Sequence, residues 1–313
     1  AIGPPSLSSS CGPMPTYRIC MVSDFFPPGL GGVEMHIYQL SQCLLQRGHK
    51  VVVVTHLRGK RQGVRHMPNG LKVYYLPFLP FTDMVTLPTF YAFFPLLRKV
   101  LIRERIDIVH GHQATSNLGH ECVFHAHTMG YKTVYTDHSL FGFADMACIH
   151  VNKLLKFFLT NAHHAICVSH ATKENLVLRA ALHPLDVSVI PNAVDTGRFT
   201  PDPSKRPPPP TVNIVVISRL TYRKGTDLLV GAVPAICHRY PHVNWIIGGD
   251  GPKRLLLEDM IKRERLHDRV ELLGSVPHDE VRSVLVRGHV FLNTSLTEAF
   301  CIAIVEAVAC GLF

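Results

Sequence analysis

Two glutamates near the end of the sequence carry the pattern with the clearest chemical meaning. Glu298 and Glu306 lie eight positions apart in the mostly apolar stretch SLTEAFCIAIVEAVACGLF. We predict that Glu298 lies in a loop after a strand and that Glu306 lies inside the helix that follows. Because a carboxylate among apolar neighbours is unfavourable to bury alone, Glu306 needs a partner. The hydroxyls of a ribose would serve, and so would an ordinary salt bridge with an arginine.

A glycine-rich turn, GLGGVE, separates a predicted strand from a predicted helix near the start of the chain. Gly29, Gly31 and Gly32 leave backbone N–H groups accessible beside the positive end of a helix dipole, an arrangement that binds phosphate. The dinucleotide fingerprint would require a glycine where Glu34 stands, and the P-loop pattern does not occur in the sequence. A tight turn without a ligand is the alternative interpretation.

A basic turn, SRLTYRKGTD, follows a predicted strand in the second half of the chain. Arg219 ends this strand, and Lys224 precedes Gly225 and a helix that Thr226 and Asp227 are expected to cap. A guanidinium and an ammonium at one helix N-terminus would hold a diphosphate, because the planar fork of arginine complements the point charge of lysine. A solvated basic turn is the alternative interpretation.

Histidine is abundant, with 20 residues, and some histidines are close neighbours in sequence. The pairs of interest are His110 and His112, His125 and His127, and His163 and His164. Structural zinc usually uses cysteine and histidine sets with recognisable spacing, which this sequence lacks, so we expect no metal. His138, in TDHS at the end of a predicted strand, is by itself typical of a hydrogen-bonded core histidine.

Short β-branched runs alternate with segments long enough for helices, which predicts an α/β fold with parallel, doubly wound sheets. Between Asp195 and Thr211 proline is too frequent for a helix or a central strand, and the alternation then starts again. We therefore predict two Rossmann-like domains that face each other across a cleft. The predicted bounds are a disordered segment 1–16, a first domain 17–195, a linker 196–211 and a second domain 212–313.

The composition limits the setting in which the chain works. The net charge of +9 and the pI near 9.2 favour an anionic partner, which could be nucleic acid, a phosphorylated small molecule or a membrane surface. The nine cysteines form no C-x-x-C pair, which favours a reducing, cytosolic environment. No apolar run reaches the roughly 18 residues of a membrane-spanning helix.

One segment, FYAFFPLLRKVLIRERI, combines an apolar face with several cations. The cations are Arg98, Lys99, Arg103 and Arg105. A helix of this kind either rests on an anionic bilayer or covers a core while its charges extend into water, and the sequence leaves both interpretations open.

The three motifs, in this order and on either side of a proline-rich segment, resemble the retaining glycosyltransferases of family 4, which have the GT-B fold. The matched patterns are G-G-x-E, R-x-x-x-x-K and E-x7-E. The resemblance implies a nucleotide-sugar domain at 212–313 and an acceptor-side domain at 17–195. It also implies that Arg219 and Lys224 hold the diphosphate of the donor and that Glu306 holds its ribose.

Further roles follow from the same resemblance. Glu298 would bind the donor sugar together with backbone groups from Ala299 to Ile302, so Phe300, Cys301 and Ile302 are site residues. Gly31 and Gly32 would approach the phosphates from the other domain. His138 matches the position at which family members place a histidine beside the reacting hydroxyl. The resemblance therefore marks His138 and Glu298 as the catalytic residues.

Longer stretches, such as TDHSLFGFAD and LNTSLTEAFCIAIVEA, resemble the branch of this family that starts GPI-anchor biosynthesis. That branch implies transfer of N-acetylglucosamine from UDP-GlcNAc to the inositol 6-hydroxyl of phosphatidylinositol, with retention, on the cytoplasmic face of the endoplasmic reticulum. The implied partners are UDP-GlcNAc, phosphatidylinositol and other subunits of a membrane-bound complex. Neither nucleic acid nor a metal cofactor is implied.

Family members continue beyond the E-x7-E helix with another strand and further helices, so we expect the second domain to be incomplete through truncation. This expectation raises a hypothesis from another class, in which the chain is non-catalytic and only binds nucleotide or partner subunits. Within the enzyme class, a family 4 glycosyltransferase with another donor or acceptor is the alternative, because contacts with diphosphate and ribose do not distinguish hexoses.

Overall fold

The computed structural model describes residues 15–29, 31–67, 69–82, 85–89, 91–140 and 146–313. The chain divides between Ile190 and Pro191 into two compact units, which we call the first and the second unit. Most of the segment that was predicted to be disordered, 1–16, lies outside the described residues.

Ten strands form in the described part of the first unit. They are β1 (Arg18–Val22), β2 (Lys50–His56), β3 (Gly63–His66), β4 (Lys72–Leu76), β5 (Pro80–Thr82), β6 (Val85–Thr86), β7 (Ile108–His112), β8 (Lys132–Asp137), β9 (His164–Cys167) and β10 (Val187–Val189). Eight of them form one sheet in the order β10-β9-β8-β7-β1-β2-β4-β3. All neighbours are parallel except β3 and β4, while β5 and β6 form a separate antiparallel pair. The predicted parallel sheet is confirmed, and β3 is an additional antiparallel edge strand.

The sheet of the first unit is buried on both faces by helices. These helices are α1 (Gly32–Gln46), α2 (Phe93–Glu104), α3 (Asn117–Thr128), α4 (Met146–Leu159) and α5 (His170–Ala180). On β1, Cys20 and Val22 pack in a core with residues of α2 to α5, whereas Ile19 and Met21 pack in a second core with α1. A strand buried on both faces needs apolar side chains at successive positions, which explains the continuous apolar runs in β1 and β2.

The second unit repeats this architecture around a smaller sheet. Its strands are β11 (Val212–Ile217), β12 (Val243–Gly248), β13 (Val270–Gly274) and β14 (Val290–Phe291), and its helices are α6 (Thr226–Arg239), α7 (Arg254–Arg263), α8 (Val281–Leu285) and α9 (Ile302–Ala309). The four strands are parallel in the order β13-β12-β11-β14. Val215 and Val216 point into different cores, so this sheet is also covered on both faces.

The proline-rich segment that was predicted to be a linker packs against the second unit. Phe199 is only 3% exposed and belongs to a core of that unit. Arg206 donates to the carbonyl oxygens of Cys310 and Gly311 at 3.2 and 2.6 Å, and Arg282 donates to the carbonyl oxygen of Thr200 at 3.1 Å. Proline prevents regular helix and strand, but it leaves side chains and carbonyl oxygens free to pack. The structure therefore places residues 196–211 in the second unit, whose boundary lies after Ile190.

The basic segment between residues 93 and 106 contains α2, which ends at Glu104, and the apolar stripe of this helix covers the core. Phe93, Leu97, Val100 and Leu101 are buried, whereas Arg98, Lys99, Arg103 and Arg105 are exposed. The buried stripe of this helix is thus occupied, and its cations remain available for a partner together with Ile102, which is also exposed. Within the described residues, no helix is long and apolar enough to cross a membrane.

Candidate functional site

The basic turn lies at the carboxyl end of β11, where a short turn leads into α6. Gly225 forms the N-cap of α6 in the left-handed conformation, with φ of 66°, and Thr226 instead donates from its hydroxyl to the carbonyl oxygen of Thr221. The expected cap by Thr226 and Asp227 is therefore wrong. A Cβ atom at position 225 would overlap the carbonyl oxygen of Thr294, so a glycine is required where the two backbones meet.

The loop after β14 is fixed against this turn by backbone and side-chain hydrogen bonds. The hydroxyl of Thr294 donates to the carbonyl oxygen of Lys224 at 2.9 Å, and the backbone N–H of Leu296 donates to the carbonyl oxygen of Arg223 at 2.9 Å. These bonds bring the R-x-x-x-x-K turn and the first glutamate of E-x7-E together.

Lys224 and Glu298 form an ion pair. We call this pair, together with Thr294 and Ser295, the donor cluster. Ser295 also donates to the Glu298 carboxylate, at 2.9 Å. The side chains of Lys224 and Glu298 are 26% and 23% exposed, so both remain accessible to a ligand. An ammonium has three donors, and a lysine paired with one carboxylate can therefore still contact a phosphate oxygen.

Glu306 lies inside α9 and is only 6% exposed, as expected from its apolar neighbours. Burial raises the pKa of Glu306 to about 7, although the positive charge of Arg198 offsets part of this rise. The imidazole of His278 lies close to the carboxylate, with its Nδ1 atom 3.8 Å from Oε1 of Glu306. Burial and Arg198 lower the pKa of His278, which keeps this imidazole neutral near pH 7. His278 belongs to no sequence motif, and its spacing from E-x7-E carries no signal.

The other residues that were predicted to bind the donor lie near the end of β11 and at the start of α9. The side chain of Arg219 is exposed just after β11, and Phe300, Cys301 and Ile302 are partly buried at the start of α9. Cys301 is the N-cap of α9 and forms no side-chain hydrogen bond with the first turn. The backbone donors of that turn therefore have no side-chain acceptor from the cap.

The glycine-rich turn leads into α1 in the first unit. Gly31 is the N-cap with extended backbone, and Gly32 is the first residue of the helix. A Cβ atom at Gly29 would lie 2.6 Å from Nη1 of Arg58, and one at Gly31 would overlap the Glu34 carboxylate. A larger residue at either position would therefore require the Arg58 or Glu34 side chain to move.

His138 lies directly after β8 in a cluster of imidazoles. The Nδ1 atom of His112, at the end of β7, lies 3.5 Å from Nε2 of His138, and the ring of His36, on α1, lies 4.6 Å from that of His138. His110 stacks on His112 with ring centroids 4.1 Å apart. Burial, followed by the neighbouring histidines, lowers the pKa of His112 and of His138 well below its usual range. These imidazoles are therefore neutral at physiological pH.

The backbone that carries His138 is fixed by a buried ion pair. Arg179 donates to Asp137 at 2.6 Å, and both side chains are fully buried. The backbone N–H of Ser139 donates to the other oxygen of Asp137 at 3.0 Å. Burial raises the pKa of Asp137 to about 6, against the opposing charge of Arg179. Sequence reasoning missed this pair, because the two residues belong to β8 and α5 and match no motif.

The histidines that lie close enough to share a metal ion come from distant parts of the sequence. Within the part of the chain that the structure describes, one group of three potential metal ligands occurs, formed by His36, His112 and His138. The sequence neighbours His125 and His127 both lie on α3, and His163 instead bonds the hydroxyl of Thr133.

Comparisons with known proteins match both units. Residues 56–145 match the family described as PIGA (GPI anchor biosynthesis), and residues 201–313 match the family described as Glycosyl transferases group 1. The chain is similar to phosphatidylinositol N-acetylglucosaminyltransferase subunits from Arabidopsis thaliana, with 61% identity, and from Homo sapiens, with 59% identity, in each case over 95% of this chain. It spans 66% and 61% of the lengths of these relatives.

A similar relative from Saccharomyces cerevisiae (strain YJM789), the GPI3 subunit, is 50% identical over 95% of this chain and 67% of its own length. Among solved structures, sucrose-phosphate synthase from Thermosynechococcus elongatus matches with a TM-score of 0.75 and 19% identity. That match covers 95% of this chain and 80% of the other. The structural likeness confirms the predicted GT-B fold.

Proposed function

Because this chain belongs to the PIGA/GPI3 family of phosphatidylinositol N-acetylglucosaminyltransferase subunits, we propose that it transfers N-acetylglucosamine from UDP-GlcNAc to the inositol 6-hydroxyl of phosphatidylinositol with retention of configuration. This reaction is the first step of GPI-anchor biosynthesis. The observation that carries the proposal is the donor cluster, in which Lys224 and Glu298 from two family motifs meet in one ion pair.

The donor cluster suits a nucleoside diphosphate sugar. In the proposed reaction Lys224 and Arg219 hold the diphosphate, Glu306 accepts hydrogen bonds from the ribose, and Glu298 binds the sugar with the backbone of Phe300, Cys301 and Ile302. Negative charge grows on the leaving UDP as the glycosidic bond breaks, so fixed cations stabilise the transition state more than the ground state. With Lys224 and Arg219 in this role, the transfer needs no metal cofactor.

The attack takes place on the face of the sugar from which UDP departs. The departing phosphate oxygen accepts the proton of the inositol hydroxyl, so neither glutamate acts as a nucleophile, in contrast to the paired carboxylates of retaining glycosidases. His138 lies beside the acceptor hydroxyl, and its neutral imidazole can accept or donate one hydrogen bond. Gly31 and Gly32 contact the donor phosphates in the same proposal.

The proposed setting is the cytoplasmic face of the endoplasmic reticulum membrane. The relatives are named as subunits, which supports other subunits of a GlcNAc-transferase complex as partners, while nucleic acid has no place in the reaction. The exposed cations of α2 would favour contact with an anionic bilayer that contains the acceptor lipid.

A calorimetric titration with UDP-GlcNAc tests the donor side, and UDP-glucose serves as the competing donor. We expect saturable binding with a preference for UDP-GlcNAc, and loss of binding in Lys224→Ala but not in the control Lys262→Ala, which removes an exposed lysine of α7. Transfer to vesicles that contain phosphatidylinositol then tests the reaction. Equal binding of both donors would favour a family 4 enzyme of other specificity, and donor binding without transfer would favour a non-catalytic chain.

A further inference from the structure

The three imidazoles of His36, His112 and His138 come from three different elements of the first unit. His36 lies on α1, His112 ends β7, and His138 follows β8. Each offers one ring nitrogen, and the three atoms all lie within 4.8 Å of one another. Because β7 and β8 are parallel neighbours, their carboxyl ends place His112 and His138 side by side, and α1 adds His36 to them.

The spacing of these nitrogen atoms suits a tetrahedral metal ion. Zinc–nitrogen bonds of about 2.0–2.1 Å place two imidazole nitrogens of one tetrahedron roughly 3.4 Å apart. The Nδ1 atom of His112 and the Nε2 atom of His138 lie 3.5 Å apart, so this pair already has the required separation. The ring nitrogen of His36, a partly exposed residue, lies within 4.8 Å of the other two atoms, so metal binding requires it to move closer to them.

The chemistry of the ligand set selects the kind of ion. Three imidazoles without a carboxylate suit late transition metals and disfavour Mg²⁺ and Ca²⁺, which require oxygen ligands. Three protein ligands leave the fourth position open, as in zinc sites that bind water or an anion. His112 is fully buried, so water cannot easily reach the three nitrogen atoms from the side of the sheet.

We propose that His36, His112 and His138 form a binding site for a late first-row transition-metal dication, with Zn²⁺ as the preferred ion, and that the bound ion inhibits glycosyl transfer. The ion acts as an inhibitory ligand and is not a cofactor. It ties up the nitrogen of His138 that faces His112 and puts a positive charge beside the acceptor hydroxyl. This second part rests on the proposed function, because it assumes that His138 contacts the acceptor.

A titration of the full chain with Co²⁺ tests the site without any reference to activity. We expect the visible absorption of tetrahedral Co²⁺, saturating at one ion per chain and displaced by Zn²⁺ but not by Mg²⁺. His36→Gln and His138→Gln should each weaken Zn²⁺ binding at least about 100-fold, since loss of a direct ligand exceeds the loss of a supporting contact. The control His127→Gln, which changes an exposed histidine of α3, should bind as the parent chain does.

Absence of the absorption band, or equal Zn²⁺ binding in both cluster variants, would overturn the site. Circular dichroism identifies a variant that fails to fold, and the other variant then decides the question. In the transfer assay, Zn²⁺ should inhibit and a chelator should restore the rate, with the inhibitory concentration at least about 100-fold higher in His36→Gln. If zinc binds but does not inhibit, only the inhibitory role is rejected. If the chain catalyses no transfer even in the absence of zinc, the proposed function is contradicted, and the metal titration still tests the site.

Discussion

Lys224 and Glu298 form an ion pair although 74 positions separate them in the chain. They belong to motifs that the sequence presents as independent. Ser295 donates to the same carboxylate oxygen, and Thr294 donates to the carbonyl oxygen of Lys224. The turn before α6 and the loop after β14 therefore act as one structural element, and a substitution in either should affect the other.

Glu298→Gln separates contacts with the sugar from contacts with the nucleotide. The amide keeps the shape of the side chain but loses the charge, so we expect UDP-GlcNAc binding to weaken roughly 10- to 100-fold, as for a lost charge-assisted hydrogen bond. Binding of UDP, which lacks the sugar, should weaken less, because only the loss of the ion pair that orients Lys224 affects it. Calorimetry with both ligands measures the difference, and Glu271→Gln, at an exposed ion pair with Arg287, is the control. An equal loss for both ligands would contradict the assigned role.

Glu306 should make stability depend on pH. Its pKa rises from 4.5 to about 7 on folding, so the folded state prefers the protonated carboxyl. The stabilisation is fully present below pH 4.5 and is lost as the pH rises through 7. We expect this group to lower the free energy of unfolding by up to about 3 kcal/mol between pH 4.5 and 8, and Glu306→Gln to remove that dependence.

Urea unfolding of the parent chain and Glu306→Gln at several pH values measures this effect. Glu258→Gln, which changes an exposed partner of Arg254, is the control. Identical pH profiles for the parent chain and Glu306→Gln would show that the carboxyl of Glu306 does not titrate in this range.

We propose that His278 helps to orient Glu306, because its Nδ1 atom lies 3.8 Å from Oε1 of that carboxyl group. We expect His278→Ala to raise the KM for UDP-GlcNAc by roughly 3- to 10-fold with little change in kcat, because it weakens a binding contact made equally in ground and transition states. His278→Asn should restore part of the affinity through its amide. His242→Ala, at an exposed position, is the control, and an effect on kcat alone would argue against the positioning role.

The Asp137–Arg179 pair supports the backbone at His138. Removal of only one of its two charges should strongly destabilise the fold. Arg179→Met leaves a buried carboxyl without its partner, and we expect a loss of roughly 3–5 kcal/mol in the free energy of unfolding. The double variant Asp137→Asn with Arg179→Met should lose much less than the sum of the single losses. Chemical unfolding of Asp137→Asn, Arg179→Met and the double variant gives the coupling energy, and additive losses would show that the residues do not interact energetically.

The cations of α2 should contribute to membrane contact. Reversal of Lys99, Arg103 and Arg105 to glutamate should weaken binding to vesicles that contain phosphatidylinositol by at least about 100-fold at low salt, because loss of each cation alone removes about 1 kcal/mol. A sedimentation assay measures the bound fraction. The matched control reverses Lys262, Arg263 and Arg265, which changes the net charge by the same amount. Each set contains one residue with positive φ, Arg105 in the first and Arg265 in the control. Equal binding of the parent chain and the α2 variant would reject the contact.

Much of the fold could be predicted from the sequence because buried parallel strands produce continuous apolar runs, as in β2 and β12. Strand β3 was missed because Gly63–His66 is exposed throughout and shows no apolar alternation. The cap at Gly225 was missed because its cause is the distant carbonyl oxygen of Thr294.

The site could be predicted only where its residues form compact motifs. Glu298, Glu306, Arg219 and Lys224 follow short patterns, and the structure brings Lys224 and Glu298 into contact. The cluster of His36, His112 and His138 depends on the packing of α1 against the ends of β7 and β8, which no local spacing reveals. The same reason hides His278 and the pair of Asp137 with Arg179.

The close approach of Gly225 to Thr294 has a thermodynamic consequence for ligand recognition. Because backbone meets backbone there, the main-chain positions of the turn that carries Lys224 and of the loop that leads to Glu298 are fixed relative to each other. In the proposed reaction, a donor that enters the cluster meets a backbone that is already ordered. It therefore loses little of its binding free energy to the ordering of protein groups, and more of that free energy remains for discrimination between sugars.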